Sequence, residues 1–262
     1  MSEVEFLDRQ GLSILAFDPS LLGLAVKPIG NGRFDPMTLS EVMRREDVLA
    51  AIDGSMFTNC DPGSNERTLE CANPELAALD RSQGVLEQSD RGKGDQGISL
   101  WIVNGRARWT LGGSIDSEAA VGAQFYPSLV VNGRVSEVST SGGNAHIVGR
   151  AAVLGLADGR VAFATGRDSL QGFARRCAAA GAVWAGYTDG GTSYSMGLRE
   201  ASGSFRRWGM SEANERPVAM FLVARRPVSK SIVTSSAAPW IIGTAAVVAI
   251  GLGVWALRRR AL

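Results

Sequence analysis

Ala182-Val183-Trp184-Ala185-Gly186 runs without a break into Tyr187-Thr188-Asp189-Gly190-Gly191-Thr192-Ser193. The first five residues read as a buried strand, and that strand ends in a carboxylate, two glycines and hydroxyls. Glycine permits positive φ and close approach of backbone, and successive N–H groups in such a turn can form an anion-binding nest. A strand end of this composition therefore presents a charge, bare N–H groups and a hydroxyl at one place. That combination suits a substrate with an anionic oxygen and a leaving group. Asp189 is the first candidate catalytic carboxylate, the other reading being an Asx-type residue that shapes the glycine bend.

Upstream, Asp168 or Ser169 can cap a helix through Ala180. Leu170, Phe173, Ala174 and Cys177 recur at helical spacing along it, and Gly181 stops it. Three dipeptides then predict tight hairpins. Asn104-Gly105 lies between 98–103 and 107–111, Asn132-Gly133 follows 129–131, and Asp158-Gly159 separates 152–156 from 161–164. Nearer the N-terminus, 11–17 and 22–26 read as strands. Thr38-Leu39-Ser40-Glu41 is a capping-box pattern opening a short helix that ends near Arg45. Residues 48–52 read as a buried strand leading into Asp53-Gly54. Asn73-Pro74 predicts the start of another short helix, with asparagine as cap and proline in the first turn. A last strand is expected over 218–223. Strands outnumber helices and hairpins predominate, so the expected fold is α+β, with a largely antiparallel or mixed sheet and a few flanking helices.

Glycine, at 32 of 262 residues, exceeds the typical share of about 7%, in keeping with many tight turns. The formal net charge of +1 gives no basic footprint for nucleic acid. A single histidine, His146, excludes a multi-histidine metal site and with it the common zinc hydrolase designs. No metal is expected in the site. Oxygen ligands from Asp53 and Asp189 would suit calcium or magnesium if a divalent cation were bound, but no recognisable metal loop is present. Cys60 and Cys71 flank a polar stretch and could pair or stand as free thiols, while Cys177 falls on the apolar helix face.

Near the C-terminus an uncharged run of 18 residues extends from Trp240 to Leu257. As a helix it measures about 27 Å against a hydrocarbon core of about 30 Å. Trp240 and Trp255 sit near its ends, where interfacial aromatics belong, and Arg258-Arg259-Arg260 follows. The run is expected to be a membrane span that uses the lipid bilayer as partner. The chain then divides into a globular domain (1–226), a Ser-, Thr- and Ala-rich linker (227–239), the span (240–257) and a basic tail (258–262). The N-terminus lacks a basic start and a long apolar stretch, so no signal peptide is expected. Arg225, Arg226 and Lys230 precede the span just as three arginines follow it, so charge does not choose the side on which the globular part lies. Ala245, Ala249 and Gly253 form a small-residue stripe through which two copies could dimerise.

Five short segments, spread in order from Ala51 to Val223, resemble the phosphodiester glycosidase family. Ala51-Ile52-Asp53-Gly54-Ser55-Met56-Phe57 resembles the family's A-I-N-G-G-F-F. Tyr126-Pro127-Ser128-Leu129-Val130-Val131-Asn132-Gly133 resembles P-x-L-V-x-N-G. Arg150-Ala151-Ala152-Val153 with Asp158-Gly159-Arg160-Val161 resembles R-T-A-I-G-x-x-x-D-G-x-V. The Asp189 run is similar to L-D-G-G-G-S, and Glu215-Arg216-Pro217-Val218-Ala219 to E-R-P-V-x-N. Asp53 stands where the family usually has asparagine, Thr192 replaces a third glycine, and Leu154 stands where the family has glycine.

The resemblance implies an enzyme, a hydrolase acting on a glycosyl-phosphodiester in a glycan or envelope polymer. Such a substrate needs its phosphate held, a leaving oxygen protonated, and a water or carboxylate directed at the reacting carbon. Arginine matches phosphate with its planar fork, and paired carboxylates do the acid–base work in most glycosidases. Asp189 and Asp53 are then the catalytic candidates, Asp53 with an orienting or sugar-binding role as its other reading. Arg150 and Arg216 are the phosphate-binding candidates, with Gly190, Gly191 and Ser193 supplying N–H and hydroxyl contacts and Asn59 a weaker one. Glu215 would orient Arg216 or be a solvated loop charge. The departures at Asp53, Leu154 and Thr192 motivate the rival reading, a non-catalytic module that binds a glycan or anionic polymer at a membrane.

Overall fold

Each of the three turn dipeptides closes the hairpin that its chemistry calls for. Asn104 and Gly105 take φ of 51° and 72°, and Asn132 and Gly133 take 50° and 74°, the left-handed pair that a two-residue hairpin turn requires. The structure is a computed structural model and describes residues 2–30, 33–54, 57–59, 72–74, 78–80, 85–87, 96–191 and 193–227. The uncharged run 240–257 and Cys60, Cys71 and Thr192 lie outside the described residues.

In chain order the first strands are β1 (Val4–Arg9), β2 (Leu12–Phe17), β3 (Leu22–Ala25), β4 (Pro28–Gly30), β5 (Arg33–Phe34), β6 (Val48–Asp53) and β7 (Phe57–Asn59). They are followed by β8 (Ala72–Pro74), β9 (Ala78–Asp80), β10 (Val85–Glu87), β11 (Ile98–Val103), β12 (Arg106–Leu111), β13 (Val121–Phe125), β14 (Ser128–Val131) and β15 (Arg134–Val135). The last are β16 (Val148–Leu156), β17 (Val161–Asp168), β18 (Ala182–Gly190), β19 (Ser195–Arg199), β20 (Phe205–Gly209) and β21 (Phe221–Arg225). Helix α1 spans Leu39–Met43 and α2 spans Leu170–Ala179.

Among the described residues these strands form four sheets. Their orders are β1-β2-β17-β16-β18-β14-β15, β20-β19-β6-β21-β3, β10-β9-β13-β11-β12 and β4-β5-β8-β7. Every strand pair among them is antiparallel, so the α+β expectation resolves to its antiparallel form. Strands β17 and β18 flank β16 and run the same way as each other. A hairpin cannot join them, and α2 makes the crossover. The helix begins as its sequence dictates, with Ser169 Oγ accepting from Gly172 N at 3.1 Å. On α1, Thr38 and Glu41 form the reciprocal capping box.

Strand alternation sorts the core into layers. Leu15 and Phe17 of β2, Ala151 and Val153 of β16, and Val161 and Phe163 of β17 face one cluster, shared with Ala50 and Ile52 of β6 and Leu222 of β21. Their neighbours Ile14, Ala16, Ala152, Leu154, Ala162 and Ala164 face the other way and pack under Leu170, Phe173, Ala174 and Cys177 of α2. The alanines on that face let the helix sit close to the sheet. Helix α1 closes the opposite side, where Leu39, Val42 and Met43 meet Val48, Ala51, Phe221 and Val223. All six residues of β6 are buried, as a strand covered on both faces requires. Its last residue is Asp53.

Two sequence expectations are corrected. Ala72–Pro74 is a strand, paired with β7 and with Phe34 of β5, not the opening of a helix. Proline's φ is compatible with extended chain, and strand partners distant in sequence outweigh a local capping signal. The last strand begins at Phe221 rather than Val218, because Val218 instead makes a bridge with Met37.

Candidate active site

Strands β6 and β18 belong to different sheets, yet they deliver their terminal carboxylates to one place. Asp53 is 1% exposed. Its Oδ1 accepts from Ser195 N at 3.2 Å, and its Oδ2 is buried without a partner among the described residues. Burial, and after it the nearby charge of Asp189, pushes the Asp53 carboxyl well above the usual aspartate range. Burial also raises Asp189. Opposing that rise are the Gly190 N–H, the Arg216 charge, a hydrogen bond with the Ser193 hydroxyl and the Arg150 charge. The two environments separate the pair: Asp189 ionises first, and its charge then helps keep the proton on Asp53.

A β-bulge aims Asp189. Arg150 pairs with Gly190 and Ala152 with Tyr187, so Thr188 and Asp189 together face the single residue Ala151. Such an insertion bends the strand and redirects a side chain. Gly190 is required by close packing, since a Cβ there would meet Tyr187 Oη and Gly149 O. Gly191 is required by its φ of 68°.

The glycine N–H groups do not form the open nest that the sequence suggests. Gly190 N donates to Asp189 Oδ1 at 2.7 Å and Gly191 N to Gly149 O at 2.9 Å, so both hold the turn together.

The two candidate arginines differ in what they hold. Arg216 Nη1 donates to Ser193 Oγ at 2.8 Å, and that hydroxyl also bonds Asp189. Arg216, Ser193 and Asp189 thus form a continuous chain of contacts. Arg150, 4% exposed, donates from Nη2 to Gly143 O at 2.8 Å and His146 O at 3.2 Å, from Nε to Asp168 O at 3.4 Å, and from Nη1 to Tyr187 Oη at 3.1 Å. It pins the 143–146 loop and contributes its charge to Asp189. The Glu215 side chain is turned from solvent. It pairs with Arg207 and accepts from Ser40 N at 3.0 Å, tying the segment before Arg216 to the start of α1.

Asn59 closes β7, and its side chain lies outside the described residues. The exposed His146 contributes only its carbonyl. Among the described residues no group of three or more His, Cys, Asp or Glu side chains is arranged to hold a metal. Sequence reading passed over Tyr187 and Ser195. Tyr187 lies two residues before Asp189, and its burial pushes its hydroxyl up to about 12. Its position in the run was a usable signal. The Ser195 contact is made by backbone and leaves no trace in residue type.

The family model described as phosphodiester glycosidase matches residues 46–225. No curated protein is similar enough in sequence to count as a match. Among solved structures, the zebrafish N-acetylglucosamine-1-phosphodiester α-N-acetylglucosaminidase catalytic domain, auto-inhibited by its pro-peptide, aligns at 17% identity and TM-score 0.59. The alignment covers 86% of this chain and 82% of that one. A Burkholderia pseudomallei protein described as exported aligns at 16% identity and TM-score 0.51, covering 82% and 74%. A Synechocystis protein aligns at 14% identity and TM-score 0.49, over 85% of this chain and 61% of that one.

Proposed function

Because the chain belongs to the phosphodiester glycosidase family, a family of hydrolases, we propose that it cleaves a glycosyl-phosphodiester of a glycan or envelope polymer while anchored to a membrane. The observation that carries the reading is the meeting of Asp53 and Asp189 from separate sheets, with Arg216 reaching Asp189 through Ser193.

In this reading Asp189 is the carboxylate that acts at the reacting centre, as base or nucleophile. It keeps its charge because a guanidinium, a hydroxyl and an N–H face it. Arg216 holds the phosphate, its planar fork matching two phosphate oxygens. Arg150 adds positive charge that acts on Asp189 and fastens the 143–146 loop. Asp53, at 1% exposure, is too enclosed to meet substrate as readily as Asp189 does. It is a positioning residue, a neutral carboxyl held by Ser195 N that leaves the neighbouring negative charge to Asp189. Anchoring would come from the run 240–257, supported by its length, its flanking tryptophans and the arginines that follow.

The test is hydrolysis of a panel of sugar-1-phosphodiesters by the full chain, beside Asp189→Asn. The expected result is turnover by the first and a loss on the order of 10²–10⁴-fold in the second, with both melting cooperatively. A folded Asp189→Asn that retains full turnover would remove Asp189 from the chemistry. Binding of glycans without turnover across the panel would instead favour a non-catalytic module.

A further inference from the structure

Besides attack and phosphate binding, cleavage of a glycosyl-phosphodiester has a third task, the support of the oxygen on which charge gathers as the glycosyl bond breaks. A fixed hydrogen-bond donor aimed at such an oxygen contributes strongly in a water-poor site. Asp53 is badly placed to supply it, being 1% exposed and held by Ser195 N.

Tyr187 has the position and the polarity for it. It stands two residues before Asp189 on β18, and the bulge between them and β16 folds the strand back on its hydroxyl. Oη packs against the backbone of Gly190 so closely that a Cβ there would collide with it. The charges of both Asp189 and Asp53 act on that hydroxyl, so it lies within electrostatic reach of the carboxyl pair. Tyr187 also lines a cavity of about 490 Å³, together with Tyr126, Glu137 and Asn144, within the roughly 300–1,000 Å³ range of small-molecule sites. One side chain therefore borders both the cavity and the turn that carries Asp189.

Arg150 decides what the hydroxyl can do. Its Nη1 donates to Tyr187 Oη at 3.1 Å. The phenol oxygen accepts in that bond, so its own hydrogen is turned away from the guanidinium and is given to a different acceptor. Arg150 is itself fixed by the carbonyls of Gly143, His146 and Asp168, the first two flanking Asn144 at the cavity wall. A hydroxyl that accepts from a cation is polarised and donates more strongly. Burial pushes the phenol up to about 12, so it remains protonated, and a donor, wherever Asp189 is ionised.

We propose that the Tyr187 hydroxyl is a catalytic donor that bonds the bridging oxygen as it departs with the phosphate, polarised from behind by Arg150. The proposal rests on the glycosyl-phosphodiester reading. It requires no proton transfer from tyrosine. The electron pair of the broken carbon–oxygen bond stays on the bridging oxygen, which leaves as part of a phosphate monoester. The hydrogen stays on Tyr187, and the new bond at the sugar carbon is made by water whose proton Asp189 takes, or by Asp189 itself.

The experiment compares the full chain with Tyr187→Phe on the methyl, chloroethyl and trifluoroethyl diesters of a sugar-1-phosphate from the panel above. Along that series the departing phosphate becomes less basic. Phenylalanine keeps the ring in its packed place, and Arg150 keeps its three carbonyl acceptors, so the variant should melt cooperatively. Its kcat on the methyl diester should fall on the order of 10²-fold, with KM little changed. The loss should shrink from methyl to trifluoroethyl, because a weaker base needs less support as it leaves. A loss by the same factor on all three diesters would make Tyr187 a structural residue and overturn the assignment, with hydrolysis left standing. Equal kcat in the two proteins would overturn it as well. No turnover of any diester by the full chain would overturn the hydrolase reading and this role with it.

Discussion

Asp53 and Asp189 are the same residue type at the ends of similar apolar strands, and their surroundings oppose ionisation to different degrees, Asp189 being faced by an N–H, a hydroxyl and two arginine charges and Asp53 by N–H groups. Burial raises both, and the Asp189 charge raises Asp53 further. A folded-state value above the unfolded one gives stability that is fully present below the unfolded value and is lost as pH rises through the folded one. Asp53→Asn should therefore melt like the wild type in acid and gain in Tm over it as pH rises, which a series of thermal melts would show. Equal melting at all pH values would mean that Asp53 carries no such burden. In activity, Asp53→Asn should keep the acid limb of the pH–rate profile, which belongs to Asp189, and lose the alkaline limb that follows Asp53 ionisation. The arginines should separate as well. Arg216→Lys loses the planar fork and should lower kcat/KM with little change in Tm, whereas Arg150→Lys removes several bonds to backbone carbonyls from a buried guanidinium and should lower Tm. Residue identity was enough to nominate both arginines, but only their partners distinguish a ligand group from a loop anchor.

At the level of elements, local chemistry was highly legible. The Asn-Gly and Asp-Gly turns, the Thr38 capping box and the Ser169 cap depend on neighbours within a few residues, so sequence carries their full cause. Ser169→Ala should remove the bond to Gly172 N and cost about 1 kcal/mol, read as a lower urea midpoint with unchanged slope. Phe173→Ala, which empties a fully buried position on the sheet-facing side of α2, should cost about 3–5 kcal/mol. What sequence missed were elements defined by distant partners. Strand β19 forms between β20 and the distant β6, and Ala72–Pro74 is extended because two strands flank it. The bulge at Thr188 and Asp189 belongs to the same class, since a bulge is a mismatch between two strands and neither strand encodes it alone.

At the scale of the molecule, the globular part is antiparallel sheets packed face to face, with a helix on each outer side. That stacking sets the end of β6 beside the end of β18, although more than a hundred residues separate them in the chain. The proposed anchor belongs to this scale too. The full chain should sediment with membranes and be released by detergent but not by alkaline carbonate, and deletion of 240–257 should leave it in the supernatant; release of the full chain by carbonate would argue against a span. The sequence by itself determined the family, the α+β class, the hairpins and caps, and the carboxylates and arginines worth watching, because these follow from short-range patterning and from motif residues that stand in order along the chain. Only the tertiary structure decided that Asp53 is enclosed beside Asp189, that Ser193 links Asp189 to Arg216, that the glycine N–H groups are spent on the turn, and that Arg150 fastens a loop at the wall of a polar cavity. Those outcomes depend on burial and on partners supplied by other sheets, and a linear pattern contains neither.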